Sequence, residues 1–344
     1  MAAAPPLDGF VHAANSPARM RTNAMGIRRM SGPPSSVLGI RPVFGSVRRP
    51  GRPGFGDDAP VDDYELIDAG GGARLERFGE HVTDRPHGGA YGERRAPDRW
   101  ADADLRFDRD GGWSGPAEAS ARDGWSATIG DVTLELRPTD AGQVGAFPEH
   151  AAMLPWLRDR VELRRVTAPD EAPPVGILHL FAYTGLATLA MAMAGATIAH
   201  VDAARPAVAW ARRNAAANGL ADAPIRWLVD DARAFAARER RRGHRYDGIV
   251  LDPPTYGHGA SGRAWRLETD LEPLLADCRA LLSPDGFLLL TAHTEHLGPD
   301  QLADGLARAL RRPATELEAG DLRLDAASGA SLDLGAYARW DGAR

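Results

Sequence analysis

The sequence predicts an α/β fold, with a doubly wound, mostly parallel sheet of seven strands that follows a small β-rich domain. Short apolar runs alternate with helical segments from Val175 onward, and a hairpin pattern closes the chain. The apolar runs lack polar alternation, which is typical of parallel strands buried on both faces. Three of them end in aspartate, at Asp202, at Asp231 and at Asp252.

The first repeat is the most informative one. It reads as a strand at Val175–Leu180, a turn at Phe181–Gly185, a helix at Leu186–Ala194 and a second strand at Thr197–Val201, followed by Asp202. An acid about 20 residues beyond such a turn binds the ribose of nucleoside cofactors. The turn has one glycine where a dinucleotide fingerprint has three, so NAD and FAD are disfavoured. S-adenosylmethionine (SAM) has no pyrophosphate and fits better, although a purely structural βαβ unit stays possible at this point.

The later repeats complete the predicted sheet. The segments are helix Ala207–Asn218, strand Ile225–Val229, helix Ala232–Arg241, strand Tyr246–Leu251, helix Leu271–Leu282, strand Phe287–Thr291, helix 301–311 and the hairpin Asp321–Leu324 with Ser331–Leu334. Ligands of doubly wound sheets lie beyond the carboxyl ends of the strands. The residues expected at that edge are Tyr183, Gly185, Asp202, Asp231 and Asp252.

The chain divides into three predicted regions. Residues 1–58 are rich in Arg, Pro, Gly and Ser and are expected to be disordered. Residues 59–145 form a small β-rich accessory domain, with hairpins at Tyr64–Phe78 and Trp125–Leu136, and residues 146–344 form the main domain. Tryptophans within the small domain either fill its core or stack nucleic-acid bases, and the core is the favoured interpretation.

Composition limits the possible functions. The 344 residues include one cysteine, Cys278, which excludes a disulfide framework and a cysteine-based metal site. No metal-ligand spacing appears, and no apolar run approaches a membrane span. Because the net charge is −6 and residues 1–56 carry eight arginines against Asp8, the remainder carries −13. An acidic body of this kind lacks a broad nucleic-acid footprint. We expect a cytoplasmic protein, with residues 1–58 as a basic arm, an organelle transit peptide or the product of a misassigned start codon.

With these residues in view, the chain resembles class I SAM-dependent methyltransferases with a Rossmann-like sheet. The resemblance is strongest to the branch that contains bacterial large-subunit ribosomal RNA methyltransferases with an Asp-Pro-Pro motif. The matching segments, in the same order, are Leu180–Gly185, Val201-Asp202, Asn214–Leu220, Asp231-Ala232 and Leu251–Pro254, while Tyr64–Phe78 and Gly145–His150 resemble the small β domain of that branch.

The resemblance implies roles for individual residues. Cofactor binding would fall to the turn residues Phe181, Tyr183 and Gly185, to Asp202 for the ribose hydroxyls, and to Asp231 and Ala232 for adenine. The reaction chamber would be bordered by Asp252, and Pro253 and Pro254 would shape the acceptor slot. Further candidates for substrate contacts are Phe147, Glu149 and Tyr256, although Glu149 also suits the first turn of a helix and Tyr256 could pack against the sheet.

The sequence also restricts the methyl acceptor. Methylation of pyrimidine carbon 5 needs a cysteine nucleophile. Relatives with that activity have cysteine after the strand that corresponds to Phe287–Thr291, where this chain has Ala292 to His296 without a thiol. A base nitrogen of ribosomal RNA is therefore the preferred acceptor, and no metal is needed for transfer from a sulfonium. A non-nucleic-acid acceptor and a non-catalytic SAM-binding protein are the alternatives.

Overall fold

The computed structural model describes residues 62–169, 171–258, 264–294 and 297–343, so the predictions for residues 1–58 lie outside the described part. The strands are β1 Tyr64–Gly70, β2 Ala73–Phe78, β3 His81–Pro86, β4 Leu105–Asp108, β5 Gly112–Ser114, β6 Trp125–Ile129, β7 Val132–Leu136, β8 Gly176–Leu180, β9 Thr197–Asp202, β10 Ile225–Val229, β11 Tyr246–Leu251, β12 Tyr256–His258, β13 Ala264–Arg266, β14 Leu282–Ala292, β15 Glu318–Asp325 and β16 Ser331–Asp341. The α-helices are α1 Glu118–Ala121, α2 Leu154–Thr167, α3 Leu186–Met193, α4 Arg205–Ala217, α5 Ala232–Arg241, α6 Leu267–Leu281 and α7 Pro299–Leu310.

The predicted sheet is confirmed. Seven strands of the described residues lie in the order β10-β9-β8-β11-β14-β16-β15, and the first five are parallel. Successive residues of β8 enter different cores: Ile177 packs with apolar residues of α2, α3 and α4, whereas Leu178 packs with those of α5, α6 and α7. Helices therefore cover both faces, and this explains why the strands read as continuous apolar runs.

Several elements extend beyond their predicted bounds. Helix α6 begins at Leu267 rather than Leu271, and the carboxylate of Asp270 accepts a hydrogen bond from the N–H of Arg266 at its start. Strand β14 already pairs with β11 at Leu282, and β16 continues to Asp341 because it pairs along β14 as well as β15. Long-range pairing stabilises the two strand extensions, and local sequence patterns do not report it.

The amino-terminal β region contains both predicted hairpins. The first, β1 with β2, belongs to a sheet of order β1-β2-β3-β4-β5 in the described residues; β3 to β5 were not expected from sequence. The second hairpin pairs β6 with β7. Trp100 and Trp125 are buried, and their indole N–H groups donate to Asp68 Oδ2 and to the Phe78 carbonyl. These tryptophans are core residues, as favoured above.

Among the described residues, no helix combines the length and the apolar character that crossing a membrane requires.

Candidate active site

Four strands of the main sheet end side by side. Leu180 of β8 pairs with Val201 of β9 and with Leu251 of β11, so that the following residues share one edge. On β10, Val229 pairs with Asp202, and Asp231 follows two residues later. The structure therefore brings the ends of the strands that precede the three predicted aspartates to one rim of the sheet.

The turn after β8 has an unusual backbone. Phe181 has φ 57° and Tyr183 has φ 48°, although neither residue is glycine. Gly185 follows with φ 95°, and a β-carbon there would lie 3.3 Å from Ala211 Cβ. Left-handed residues other than glycine cost free energy and occur preferentially at ligand-binding sites. The backbone conformation of this turn is therefore typical of a ligand-binding site.

Asp202 is linked to this turn. Its side chain is buried, and its Oδ2 accepts a hydrogen bond from the Tyr183 N–H at 2.8 Å, while Oδ1 accepts from the Ala204 N–H at 2.9 Å. Burial raises the pKa of Asp202 to about 6, although these two N–H groups act in the opposite direction. Each carboxylate oxygen keeps a second lone pair, so the group is able to accept two further hydrogen bonds from a diol.

Asp231 caps helix α5. Its Oδ1 accepts hydrogen bonds from the N–H groups of Arg233 and Ala234, and the Arg233 guanidinium lies 3.0 Å from Oδ2. These partners hold the pKa of Asp231 below its usual value despite partial burial. Ala232 is the first helical residue, so helix geometry provides no internal partner for its N–H. Asp231 has a structural role that the sequence analysis did not separate from cofactor binding.

A residue that sequence reasoning missed, Trp265 of β13, links two parts of the site. Its indole N–H donates to the Pro254 carbonyl at 2.6 Å, and its ring centroid lies 4.9 Å from that of Phe181. The Arg233 guanidinium also lies over the Trp265 ring, 5.6 Å from the ring centroid. Trp265 therefore fixes the Asp-Pro-Pro turn against the turn after β8.

The contacts of Asn214 on α4 explain why the segment Asn-Ala-Ala-Ala-Asn begins with an asparagine. Its amide Nδ2 donates to the Thr184 carbonyl at 2.9 Å, and its Oδ1 accepts from the Glu135 N–H at 2.8 Å. The side chain is fully buried. Nearby, Gly145 has φ 99° and allows Trp210 to approach, since a β-carbon would lie 2.4 Å from the indole ring. Asn214 thus joins β7 to the turn after β8.

We expect Asn214→Ala to lower the free energy of unfolding by about 2–4 kcal/mol, because it leaves a buried N–H and a buried carbonyl without partners. Urea denaturation followed by circular dichroism measures the change. Arg212→Ala, an exposed substitution on the same helix, is the matched control and should change stability by less than about 0.5 kcal/mol. Equal stability of both variants would contradict the role of Asn214.

Asp252 lies in a cluster with two histidines that follow different elements. The Thr291 hydroxyl donates to Asp252 Oδ1 at 2.5 Å, and His293 Nε2 lies 3.1 Å from the same oxygen. His150 Nε2 lies 3.6 Å from Asp252 Oδ2 and 3.0 Å from His293 Nε2. Burial favours a raised pKa for Asp252, but the two histidines and the hydrogen bonds outweigh it and hold that pKa far below its usual value.

The same contacts change the basicity of His293. Burial lowers its pKa, but the neighbouring Asp252 carboxylate, together with Glu149, raises it to about 9. Its Nδ1 also faces the Leu334 carbonyl at 2.8 Å and therefore donates to it. The sequence analysis assigned no role to His293. The signal that could have revealed it was its position directly after β14, at the edge of the sheet that also carries Asp252.

The remaining predicted site residues lie around this cluster. The Phe147 ring centroid is 5.4 Å from that of Tyr183 and 5.8 Å from that of His293. Glu149 is buried, whereas Tyr256 is half-exposed at the start of β12 and does not pack into the sheet. Pro253 and Pro254 lie in the short segment without regular secondary structure that connects Asp252 to β12. The structure therefore brings Phe147 and Glu149 to the cluster and leaves Tyr256 accessible.

A cavity of about 780 Å³ is lined by Phe147, whose ring also contacts Tyr183 of the turn after β8. Phe147, Glu149, Thr255 and His293 line it from the main domain. The amino-terminal β region supplies the opposite wall, with the basic side chains Arg74, Arg85 and Arg109 and with Tyr91, which is 79% exposed. The volume is within the range of pockets that hold small organic groups.

Fold and site together define a class. The doubly wound sheet has a one-glycine turn, a buried aspartate at the end of β9 and an Asp-Pro-Pro turn after β11. This arrangement is typical of a site for a nucleoside cofactor next to a separate acceptor chamber.

A sequence model described as S-adenosylmethionine-dependent methyltransferase matches residues 156–318. The solved structure of a SAM-dependent methyltransferase from Agrobacterium tumefaciens is 37% identical, with a TM-score of 0.75, over 82% of this chain and 91% of that one.

The chain belongs to the SAM-dependent methyltransferase family, and SAM is its methyl donor. The chain is also similar to curated proteins named ribosomal RNA large subunit methyltransferase K/L. Identity is 30% over 173 residues for the protein of Magnetococcus marinus, which is 49% of this chain and 22% of that protein. For Methylococcus capsulatus it is 33% over 128 residues, 37% of this chain and 17% of the relative. The chain thus spans about a fifth of the length of these relatives.

Proposed function

We propose that this methyltransferase modifies a nitrogen atom of a base in ribosomal RNA. The observation that carries the proposal is the cavity beside the Asp-Pro-Pro turn. It is open to solvent, its lining includes the exposed Arg109, and it reaches His293 and Glu149 next to Asp252. We also propose residues 59–145 as the accessory domain that supplies the opposite wall of the cavity and residues 146–344 as the catalytic domain.

The residues around the turn after β8 fit SAM. Asp202 would accept hydrogen bonds from both ribose hydroxyls, because its oxygens hold lone pairs beyond those that Tyr183 and Ala204 use. The turn residues Phe181, Tyr183 and Gly185 would flank the methionine portion. Asp231 and the Ala232 N–H would face the adenine ring. When bound, SAM supplies a methyl group on a positively charged sulfur, which is already strongly electrophilic.

The chain's own contribution to the reaction is then orientation and exclusion of water. Phe147 separates the turn after β8 from the cavity, so it is placed to border both ligands. Pro253 and Pro254 provide no N–H donors and keep the backbone extended, which would leave a flat slot for a planar base. Asp252 borders this slot, and the hydrogen bond from Thr291 fixes its carboxylate. Glu149 would lie at the floor of the chamber.

A nitrogen acceptor is favoured over carbon 5 of a pyrimidine. The sole cysteine of the sequence, Cys278, is fully buried in α6, and burial raises the pKa of its thiol far above the usual value. At the position after β14, where relatives with carbon-5 activity have a thiol, this chain has His293. A base nitrogen needs no covalent enzyme intermediate, since its lone pair attacks the methyl group directly.

RNA as the substrate class is supported by one exposed arginine of the cavity and by two exposed tyrosine rings. Arg109 adds positive charge to the cavity wall of a chain whose body is acidic, whereas Arg74 and Arg85 are buried and paired with Glu76. Tyr91 of the cavity lining and Tyr256 of β12 expose their rings, and unstacked RNA bases bind to such rings. The names of the curated relatives point to the same substrate. Action on ribosomal RNA would place the enzyme in the cytoplasm.

The proposal is tested with SAM that carries tritium in its methyl group. The full chain is incubated with ribosomal RNA, with total protein and with a metabolite fraction. We expect RNase-sensitive label in large-subunit RNA and, after digestion, an N-methylated nucleoside. Higher salt should reduce labelling, because phosphate contacts release counterions. Label in protein or metabolites, or in 5-methylcytidine, would contradict the proposal; the acidic body makes a non-nucleic-acid acceptor the second candidate.

A further inference from the structure

Two imidazole rings and a carboxylate converge beside the acceptor slot. Their donor atoms are His150 Nε2, His293 Nε2 and an oxygen of Asp252. The separations are 3.0 Å between the two nitrogens, 3.1 Å from His293 to Asp252 Oδ1 and 3.6 Å from His150 to Asp252 Oδ2. We propose that these three residues bind a divalent transition-metal ion of the zinc class.

The separations match a coordination shell. Zinc binds histidine nitrogen and carboxylate oxygen at about 2.0–2.2 Å, which puts the ligand atoms of a tetrahedral site roughly 3.3 Å apart. The three observed distances lie on both sides of that value. An ordinary histidine–carboxylate hydrogen bond needs one ring, whereas here the Nε2 atoms of two rings lie within 3.6 Å of the same carboxylate and 3.0 Å from each other.

The groups behind the ligands are those that metal-binding side chains require. His293 donates its Nδ1 proton to the Leu334 carbonyl at 2.8 Å, so Nε2 is the ring nitrogen that binds a metal ion once its own proton is released. The Thr291 hydroxyl donates to Asp252 Oδ1 at 2.5 Å and holds the carboxylate in place. Such outer hydrogen bonds set the tautomer of the histidine and the direction of the carboxylate.

Glu149 provides an independent observation. Its side chain is 3% exposed, and its Oε2 has no hydrogen-bond partner among the described residues. Its other oxygen lies 3.6 Å from His293 Nδ1. A buried carboxylate without a hydrogen bond is costly unless positive charge lies close to it. A divalent ion held by His150, Asp252 and His293 would compensate the charges of Asp252 and Glu149 together.

The donor set indicates the class of ion. Two imidazoles and one carboxylate suit zinc, iron, cobalt and nickel better than magnesium or calcium, which prefer oxygen. Three protein ligands leave at least one coordination position for water or a substrate atom. His293 also lines the cavity, so that position is reachable from it. Sequence spacing did not reveal this set, because its members come from three separate segments.

The test measures binding of Zn²⁺ and Co²⁺ to the full chain, with any affinity tag removed and without SAM or RNA. We expect one equivalent of Zn²⁺ by isothermal titration calorimetry, with a dissociation constant that is roughly micromolar or lower. Co²⁺ should give visible absorption bands typical of a low-coordinate N/O site. His150→Gln and His293→Gln should each weaken Zn²⁺ binding by more than about 100-fold, since loss of an outer partner alone costs 10- to 100-fold.

The matched control is His244→Gln. His244 also contacts a carboxylate, that of Glu239, but at a half-exposed position where the other partners of Glu239 are Arg242 and Tyr246 rather than a second histidine. This variant should bind Zn²⁺ as the unchanged chain does. Circular dichroism establishes that each variant is folded. Absence of stoichiometric binding to the unchanged, folded chain would overturn the proposal, and so would equal affinity in all three variants. Neither result depends on the identity of the methyl acceptor.

Discussion

Asp202→Ala should abolish measurable SAM binding. The substitution would remove the two charge-assisted hydrogen bonds that we propose between Asp202 and the ribose, each of which would contribute about 1.5–3 kcal/mol. It also removes the acceptor of the Tyr183 N–H, which helps to hold the left-handed turn. A loss of at least 3 kcal/mol corresponds to an affinity reduction of about 100-fold or more. Isothermal titration calorimetry with SAM measures the effect.

Two comparisons make this result specific. Asp222→Ala, an exposed change at the opposite end of the sheet, should leave the affinity unaltered.

In the unchanged chain, SAM affinity should fall as the pH is lowered through about 6, because the Asp202 carboxylate then takes up a proton and loses acceptor capacity. Above pH 7 that group is ionised and contributes no pH dependence. Undiminished affinity in Asp202→Ala would remove the cofactor assignment of this rim.

Asp252→Ala should have the opposite profile. SAM affinity should stay within about twofold, whereas the rate of methyl transfer should fall by about 100-fold or more, the penalty for an acceptor misplaced by about 1 Å. The reason is structural: the carboxylate is tied to Thr291 and both histidines, and without it His150 and His293 lose the group that orients them. Single-turnover kinetics at saturating SAM separates the two effects.

The control for this prediction is Asp247→Ala on the same strand. Asp247 lies at the other end of β11, where its carboxylate accepts a hydrogen bond from the Gly176 N–H. Its removal should lower stability slightly without affecting turnover. A normal methylation rate in Asp252→Ala would exclude this residue from the acceptor slot. Weakened SAM binding would instead assign Asp252 to the cofactor.

The sheet was predictable because its signals are local. Buried parallel strands such as Tyr246–Leu251 have apolar side chains on both faces, and their ends are marked by polar residues such as Asp202 and Asp252. The predicted seven strands, the doubly wound and mostly parallel arrangement and both early hairpins agree with the structure. Their bounds were less predictable, as the extension of β16 to Asp341 illustrates, since pairing with β14 determines where that strand ends.

By itself, the sequence determined the alternation of strands and helices from Val175 onward, the aspartates at the strand ends and the absence of a thiol near them, because each depends on residue type and short spacing. Only the tertiary structure decided which distant residues meet. His150, Asp252 and His293 come within 3.0–3.6 Å through three separate chain segments, and Asn214 of α4 reaches both Thr184 after β8 and Glu135 of β7. Contacts of this kind depend on how elements pack, and packing leaves no periodic signal in a single sequence.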